Sequence, residues 1–433
     1  MITKSKKAEK TGKFEVAWKQ LFEKFGIHEE LEKHGQFHMS AKSIKSVGHE
    51  EPRLMCKWDT RDSRPQILKK ITILPTSHNE YVLLKGDGYY DLPEPEPGAI
   101  KYYPPQKLVG FLTVDFKEQL RGEAAAIDAA LLASILRTFT NEPNLALTIR
   151  GRAGANPFDF VFGHDSEPQF NLKVTDPQIE IDAGFEGQKI WLLEAKARSI
   201  KDFIIRQLYY PWRSLSTQIL NKPIVPLFFT YVNRVFGLYE CEFSTSKQYH
   251  SLHVVRQEWF TFDAPEALPS LETMFNEIKR HEPPIAVFPQ ADTLVNVVEL
   301  LERCAIGLTS TEELATAMEF DMRQAQYYTA AAKWLEFLEP SLTRKITGPG
   351  WAIVNGDRTE RFQLLFKAVV RTPVFYEAAR ARLAGKELTF EAVCDLVEQR
   401  KVNKTTIGRR AQTVEAWIKW LWQEYSRLQI EAS

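Results

Sequence analysis

One segment narrows the fold more than any other: residues 179–197 read IEIDAGFEGQKIWLLEAKA. Two apolar, β-branched and aromatic runs flank a glycine-containing turn, which predicts two adjacent strands. Strand side chains alternate between faces, so Glu180 and Asp182 are expected on one side, and Glu194 with Lys196 likewise. Ile179, Ile181, Leu193 and Ala195 are expected to face the other way. Charges set into buried strands are costly unless they are paired or hold a metal. A bare Glu-x-Lys triplet commonly marks a solvated strand edge, and a buried ion pair is the competing structural account. The apolar setting is what singles this triplet out.

The chemistry of the three side chains is that of phosphodiester hydrolysis. Two carboxylates, Asp182 and Glu194, suit a hard divalent cation, and magnesium (Mg2+) is the usual choice. Such a cation polarises a phosphate and activates a water. A lysine beside the nucleophile, here Lys196, orients or deprotonates that water and offsets developing negative charge. The Ala195 carbonyl is a further candidate oxygen ligand.

At 433 residues the chain is too long for one compact domain, and about two to four are expected. Proline-rich stretches at 92–107 (LPEPEPGAIKYYPPQK) and 281–290 (HEPPIAVFPQ) divide it. Residues 1–107 read as an α+β module, a candidate for DNA recognition. Residues 108–285 run helix, several strands, helix, strand, strand, which predicts an α/β sandwich with at least one crossover in its sheet. Residues 290–360 contain three helical stretches, the second opened by a Ser/Thr cap with acids in its first turn. With SLTRKIT and GWAIVNG taken as a hairpin, they predict a winged helix-turn-helix. Residues 361–433 are again helical, a candidate second winged-helix module.

The run IEIDAGFEG…WLLEAKA…DFIIRQLYYPWR resembles the nuclease core of type II restriction endonucleases of the PD-(D/E)XK superfamily, most clearly over residues 120–245. Upstream, EPRLMCKWDTRDSRP…ITILPTSHNEYVL is similar to the N-terminal part of such enzymes. The resemblance implies a mixed central sheet flanked by helices. It makes Asp182 and Glu194 the metal carboxylates and Lys196 the catalytic lysine. The Pro-Asp pair that gives the superfamily its name is absent, since Ile181 precedes Asp182. Two further positions match looser features of related nucleases. Glu123, early in the first core helix, is either an acid contacting the metal through water or a helix N-terminal charge. Gln207 is either the glutamine of a helix lining the active site or an ordinary polar helix position.

For DNA, Arg323, Gln324 and Gln326 lie near the start of the second helix of the helix-turn-helix, where base edges are reached. Arg344 and Lys345 on the expected wing would contact the backbone. Lys404, Arg409 and Arg410 form a second basic candidate face. Arg150, Arg152, Arg206 and Arg213 are candidate phosphate contacts near the cleft, with solvated surface charges as the alternative. A protein–protein role for the winged helix is open as well. The 56 basic and 56 acidic residues balance, so charge alone gives no argument for nucleic acid.

Together these readings predict a type II restriction endonuclease making Mg2+-dependent double-strand breaks in double-stranded DNA. Cutting both strands calls for two centres, hence a homodimer or dimerisation on DNA, and a cognate DNA methyltransferase as functional partner. A repair or recombination nuclease on the same core, and a DNA-binding regulator without catalysis, are the alternatives. Four scattered cysteines, a basic polar start without an apolar signal core, and no run of ~20 apolar residues predict a cytoplasmic protein with no membrane span.

Overall fold

The computed structural model describes residues 12–104, 120, 122–154, 156–164, 168–176, 178–283, 288–400 and 402–433. The start of the chain and parts of both proline-rich stretches lie outside them. Among the described residues no helix is long and apolar enough to cross a membrane.

The N-terminal module is α+β, as its patterning suggests. Helices α1 (Lys13–Phe25), α2 (Ile27–His34), α3 (Ala41–Gly48) and α4 (Pro52–Cys56) pack on a three-stranded sheet of order β1-β3-β2. The strands are β1 (Gln36–Ser40), β2 (Ile71–Ser77) and β3 (Glu80–Lys85). Alternation divides this sheet between two cores. Ile71, Ile73 and Leu83 join Trp18 and Leu21 of α1, while Leu74, Val82 and Leu84 face the central module.

Strands β4 (Tyr89–Asp91) and β5 (Ile100–Tyr102) follow. They belong to the central module, which corrects the boundary expected at residue 107. Within the proline-rich stretch, Ile100–Tyr102 is an edge strand of the central sheet. The central module continues through α5 (Glu123–Leu132), α6 (Ile135–Thr140), β6 (Ala146–Gly154), β7 (Phe158–Phe162), β8 (Phe170–Val174), β9 (Gln178–Glu186) and β10 (Ile190–Lys196). Then come β11 (Asp202–Ile204), α7 (Arg206–Ser216), β12 (Ile224–Val232), β13 (Val235–Phe243) and β14 (Leu252–Thr261). The stretch GEAAAIDAALLASILRTF forms two helices, α5 and α6, because Ser134 between them adopts a left-handed conformation at φ 67°.

A seven-stranded mixed sheet of order β5-β14-β13-β12-β10-β9-β6 forms the centre. β9 and β10 are an antiparallel hairpin, and β12 lies parallel to β10 after the crossover through α7. β4 pairs with β11, and β5 pairs with β14. One sheet face packs on α5 and α6 through Trp191, Leu193, Phe229 and Leu238. The other packs on α7 and the β7–β8 hairpin, with Phe203 and Phe228 stacked at 4.0 Å. Each such aromatic is worth roughly 1.5–3 kcal/mol on burial.

The C-terminal region is helical: α8 (Leu271–Asn276), α9 (Leu294–Ala305), α10 (Thr311–Ala317), α11 (Met322–Trp334), α12 (Gly348–Asn355), α13 (Arg358–Val370), α14 (Pro373–Leu383), α15 (Phe390–Glu398) and α16 (Ile407–Glu431). Capping boxes at Ser310 and Asp321 start α10 and α11. The expected hairpin is not where the sequence suggested. GWAIVNG is helical, because Thr347 accepts the Gly350 N–H and Pro349 sits where a helix needs no donor. What pairs instead is a single bridge, Leu338 with Ile346, closing a short loop after α11.

Nor are 290–360 and 361–433 separate units. One core runs from Leu268 to Leu428, with Phe288, Trp334, Phe375 and Trp417 in mutual ring contact. This core is tied to the central sheet. Arg358, 3% exposed on its side chain, pairs with Glu424 and Glu431, and its backbone N–H donates to Asp263.

Candidate active site

The hairpin of β9 and β10 is paired only as far as Ala183 and Leu193. Beyond that point the strands part, and the Asp182 carboxylate takes the Ala195 N–H at 2.7 Å in place of a ladder partner. On the other side β6 pairs irregularly, stepping from Ile149↔Gly184 to Gly151↔Ile181. The alternation expected of β9 therefore breaks at Asp182. Ile179 and Ile181 face the α7 side, whereas Ala183 and Phe185 face α5 and α6. Ile179 and Ile181 thus part company with Leu193 and Ala195, contrary to the simple two-residue period. Glu180 turns outward to Arg53 and Arg152. A bulge beside a strand end re-aims one side chain, and here the chain is an aspartate.

On β10 the alternation holds. Glu194 and Lys196 share the α7 face with Ile190 and Leu192. Lys196 Nζ lies 2.7 Å from Glu194 Oε1, and Gln207 Nε2, from the first turn of α7, donates to the same oxygen at 2.5 Å. Asp59 of the N-terminal module approaches Nζ to 3.6 Å. Glu123, the first residue of α5, accepts the Ala197 N–H at 3.4 Å. Asp182, Glu194, Lys196, Gln207 and Glu123 are thus brought around one strand end.

Burial dominates the electrostatics. It raises the Asp182 carboxyl above its ordinary range against the pull of the Ala195 N–H. It pushes Glu194 up to about 8, with Asp182 adding to the effect and Lys196 opposing it. Burial also works against charge on Lys196, but there Glu194, Asp59, Glu123 and Glu319 outweigh it and hold the ammonium well above its usual value. The partners of this pair pull in different senses: an ion pair alone would lower Glu194. Asp182 and Glu194 are too dry for one lysine to compensate, and the lysine stays charged.

That imbalance is the test of whether a divalent cation suits the site. The donors are hard carboxylate oxygens, both on acids that burial drives toward protonation, and a cation would relieve that cost. Among the described residues no three His, Cys, Asp or Glu side chains converge on one point. Asp182 and Glu194 are a pair, and magnesium is commonly held through one or two carboxylates with waters completing its shell. The residues fit magnesium on this count.

The chain beyond Lys196 is held by the C-terminal region. Arg303 of α9 donates to the Ala197 carbonyl at 2.8 Å, Arg198 pairs with Glu319 at 2.5 Å, and the Ser199 N–H donates to Glu299 of α9. Glu319 is the turn residue between α10 and α11, with φ 51°. Lys196 and Glu194 are only 4% and 7% exposed, and Asp182 alone of the three is half-buried.

The candidate DNA residues are dispersed. Arg150 pairs with Asp128, and Arg152 with Glu180, both on an exposed strand. Arg206 and Arg213 are half-buried on α7. On α11, Arg323 and Gln326 are exposed, while the Gln324 side chain serves the capping box by accepting the Asp321 N–H. Arg344 does not extend from a wing. It folds back at φ 48° onto Thr309, Thr311 and Thr329, stapling its loop to the preceding helices. Lys345 is exposed and pairs with Glu339. Lys404 and Arg409 are exposed, but Arg410 is buried and donates to the Phe288 carbonyl. Arg410 therefore secures α16, correcting its place on a basic face.

The sequence reading missed Asp59, Glu299, Arg303 and Glu319. Asp59 lies in RLMCKWDTRD, a stretch noticed for its resemblance without any residue being given a role. The others carry no local signal.

Three family models match the chain, each described as a domain of unknown function: DUF6996 over residues 15–83, DUF6997 over 84–261 and DUF7226 over 293–426. Their limits follow the modules seen here, with β4 and β5 in the central match and α9 through most of α16 in the last. No curated protein and no solved structure matches the chain.

Proposed function

We propose that the protein is a Mg2+-dependent DNA endonuclease of the type II restriction class, built on a PD-(D/E)XK core. The observation that carries the reading is the convergence of Asp182, Glu194, Lys196 and Gln207 where β9 and β10 part. In this reading Asp182 and Glu194 hold the cation. Bound magnesium supplies Lewis-acid polarisation of the scissile phosphate and activation of a water. Lys196, kept charged by its carboxylates, offsets the negative charge that develops on the phosphate. Gln207 restrains the Glu194 carboxylate, and Glu123 fixes the backbone just after Lys196. Water adds to phosphorus and one P–O ester bond breaks, leaving a phosphate monoester and a free hydroxyl. The helical region around α10 and α11 is the proposed reader of double-stranded DNA, with two copies of the chain needed for a double-strand break. A partner methyltransferase and a cytoplasmic location belong to the same proposal.

The burial of Glu194 and Lys196 favours a second reading, a DNA-binding regulator on an inactive nuclease fold. One experiment separates them. Plasmid is incubated with protein and Mg2+, comparing wild type, Asp182→Ala and Lys196→Ala. Discrete fragments lost in both variants, with DNA affinity in calcium kept, support the enzyme. Retardation of DNA without cleavage by any of the three refutes it. Sequencing the fragment ends then distinguishes fixed sites from structure-specific cutting, which would favour a repair or recombination nuclease.

A further inference from the structure

Two carboxylates from different modules reach Lys196. Glu194, on the same strand, lies 2.7 Å from Nζ, and Asp59 lies 3.6 Å away. Asp59 is the more unusual. Its side chain is 1% exposed, and neither oxygen has a hydrogen-bond partner. A buried acceptor without a donor costs roughly 1–3 kcal/mol, and more when charged. A fold keeps such a group only where another interaction recovers the loss.

The backbone pins Asp59 in that position from both sides. Its carbonyl accepts the Ile204 N–H at 2.9 Å. The Trp58 carbonyl accepts the Tyr89 hydroxyl at 2.8 Å, and the Arg61 N–H donates to Asp202 at 2.7 Å. Asp202 and Ile204 are the ends of β11, which leads directly into the turn of α7 carrying Gln207. The segment bearing Asp59 and the helix bearing Gln207 are therefore one stitched unit. Lys57 lies 3.9 Å from Asp59, but its side chain is 43% exposed, so the nearest buried cation is Lys196, with Arg206 and Arg198 acting more weakly.

We propose that Asp59 is a positioning residue for Lys196, an anion supplied by the N-terminal module that keeps the ammonium in place when Glu194 is engaged elsewhere. The inference rests on the nuclease reading above. One oxygen of Glu194 already serves both Lys196 and Gln207, and the same carboxylate is a candidate ligand for magnesium. Two cations on one carboxylate share its charge, so any hold on a metal weakens the hold on the lysine. Asp59 is not among the candidate metal ligands, so its charge stays with the cations around it, of which Lys196 acts most strongly and Lys57, Arg206 and Arg198 less. On this account residues 84–261 do not contain a complete site: the lysine's second counter-charge comes from the region matched over 15–83.

The test uses the full chain as wild type, Asp59→Asn and Asp59→Glu. Cleavage kinetics are measured with Mg2+, thermal melting is recorded, and Lys196 is footprinted by reductive methylation with peptide mass mapping. For Asp59→Asn we expect kcat to fall about tenfold or more with KM within about twofold. Its Lys196 should methylate several-fold faster without a matching loss of melting temperature. Asp59→Glu keeps the charge and should restore both the protection and part of kcat. Wild-type turnover in Asp59→Asn, a loss confined to KM, or unchanged protection of Lys196 overturns the proposal. If Asp59→Asn does not fold, Asp59→Glu decides, because loss of Lys196 protection there is equally fatal. A wild type that cleaves no DNA refutes the nuclease reading instead, and the footprint still judges Asp59.

Discussion

Glu299 offers a test of the contact between the C-terminal helices and the segment that follows β10. It is buried on α9, accepts the Ser199 N–H, and has its carboxyl pushed up to about 8. Burial is the main cause, opposed by the Ser199 N–H, with Glu302 raising it and Arg303 and Arg198 lowering it. Because the folded value exceeds the ordinary one, the protonated form favours folding. That stability is fully present below the ordinary value of 4.5 and is lost progressively as pH rises to about 8. The interval corresponds to a ceiling of about 5 kcal/mol. Relaxation and water entry around the ionised group reduce what is measured, to roughly 2–3 kcal/mol. Glu299→Gln keeps an acceptor for Ser199 but cannot ionise. Urea unfolding of the C-terminal transition at pH 5, 7 and 9 should therefore show near-equal stability at pH 5. At pH 9 the variant should be the more stable by that amount. If wild type and variant lose stability in parallel between pH 5 and 9, Glu299 is not the titrating group and the account of the contact is wrong.

Two further outcomes are expected. Glu319→Ala removes the partner of Arg198, so the footprint of Lys196 should loosen and, on the nuclease reading, single-turnover cleavage should rise about two- to fivefold, roughly 0.5–1 kcal/mol; unchanged reactivity would show that the turn is no cover. Arg358→Ala leaves Glu431 without its paired cation and Glu424 with Arg427 alone, and calorimetry should register a loss of about 3 kcal/mol; a loss under 1 kcal/mol would mean that Arg427 or water replaces the guanidinium.

The parts of this architecture governed by nearby residues were legible before any coordinates. β10 obeys strict alternation because β12 pairs with it along its whole length, so Glu194 and Lys196 share a face as a two-residue period demands. A Ser/Thr cap announces α10, since a cap and its target lie three residues apart. Misreadings arose where local signals conflict. The aromatic and β-branched residues of GWAIVNG suggest a strand, yet the Thr-Gly-Pro-Gly start commits the segment to α12. A paired basic run, Arg409 and Arg410, suggests one charged face, yet neighbouring helix positions point apart and only Arg409 remains exposed.

From the sequence alone came the identity of the acids and the lysine, the mixed α/β centre and the helical C-terminal region. These follow from patterns whose period is two or a few residues. Tertiary structure alone decided the turn of Asp182 at the irregular pairing of β6, the arrival of Asp59 from another module, and the clasp of residues 197–199 by α9 and Glu319. Each depends on which distant segments share a core or a ladder. No local pattern encodes that partner, because burial and pairing energies are summed over the folded whole.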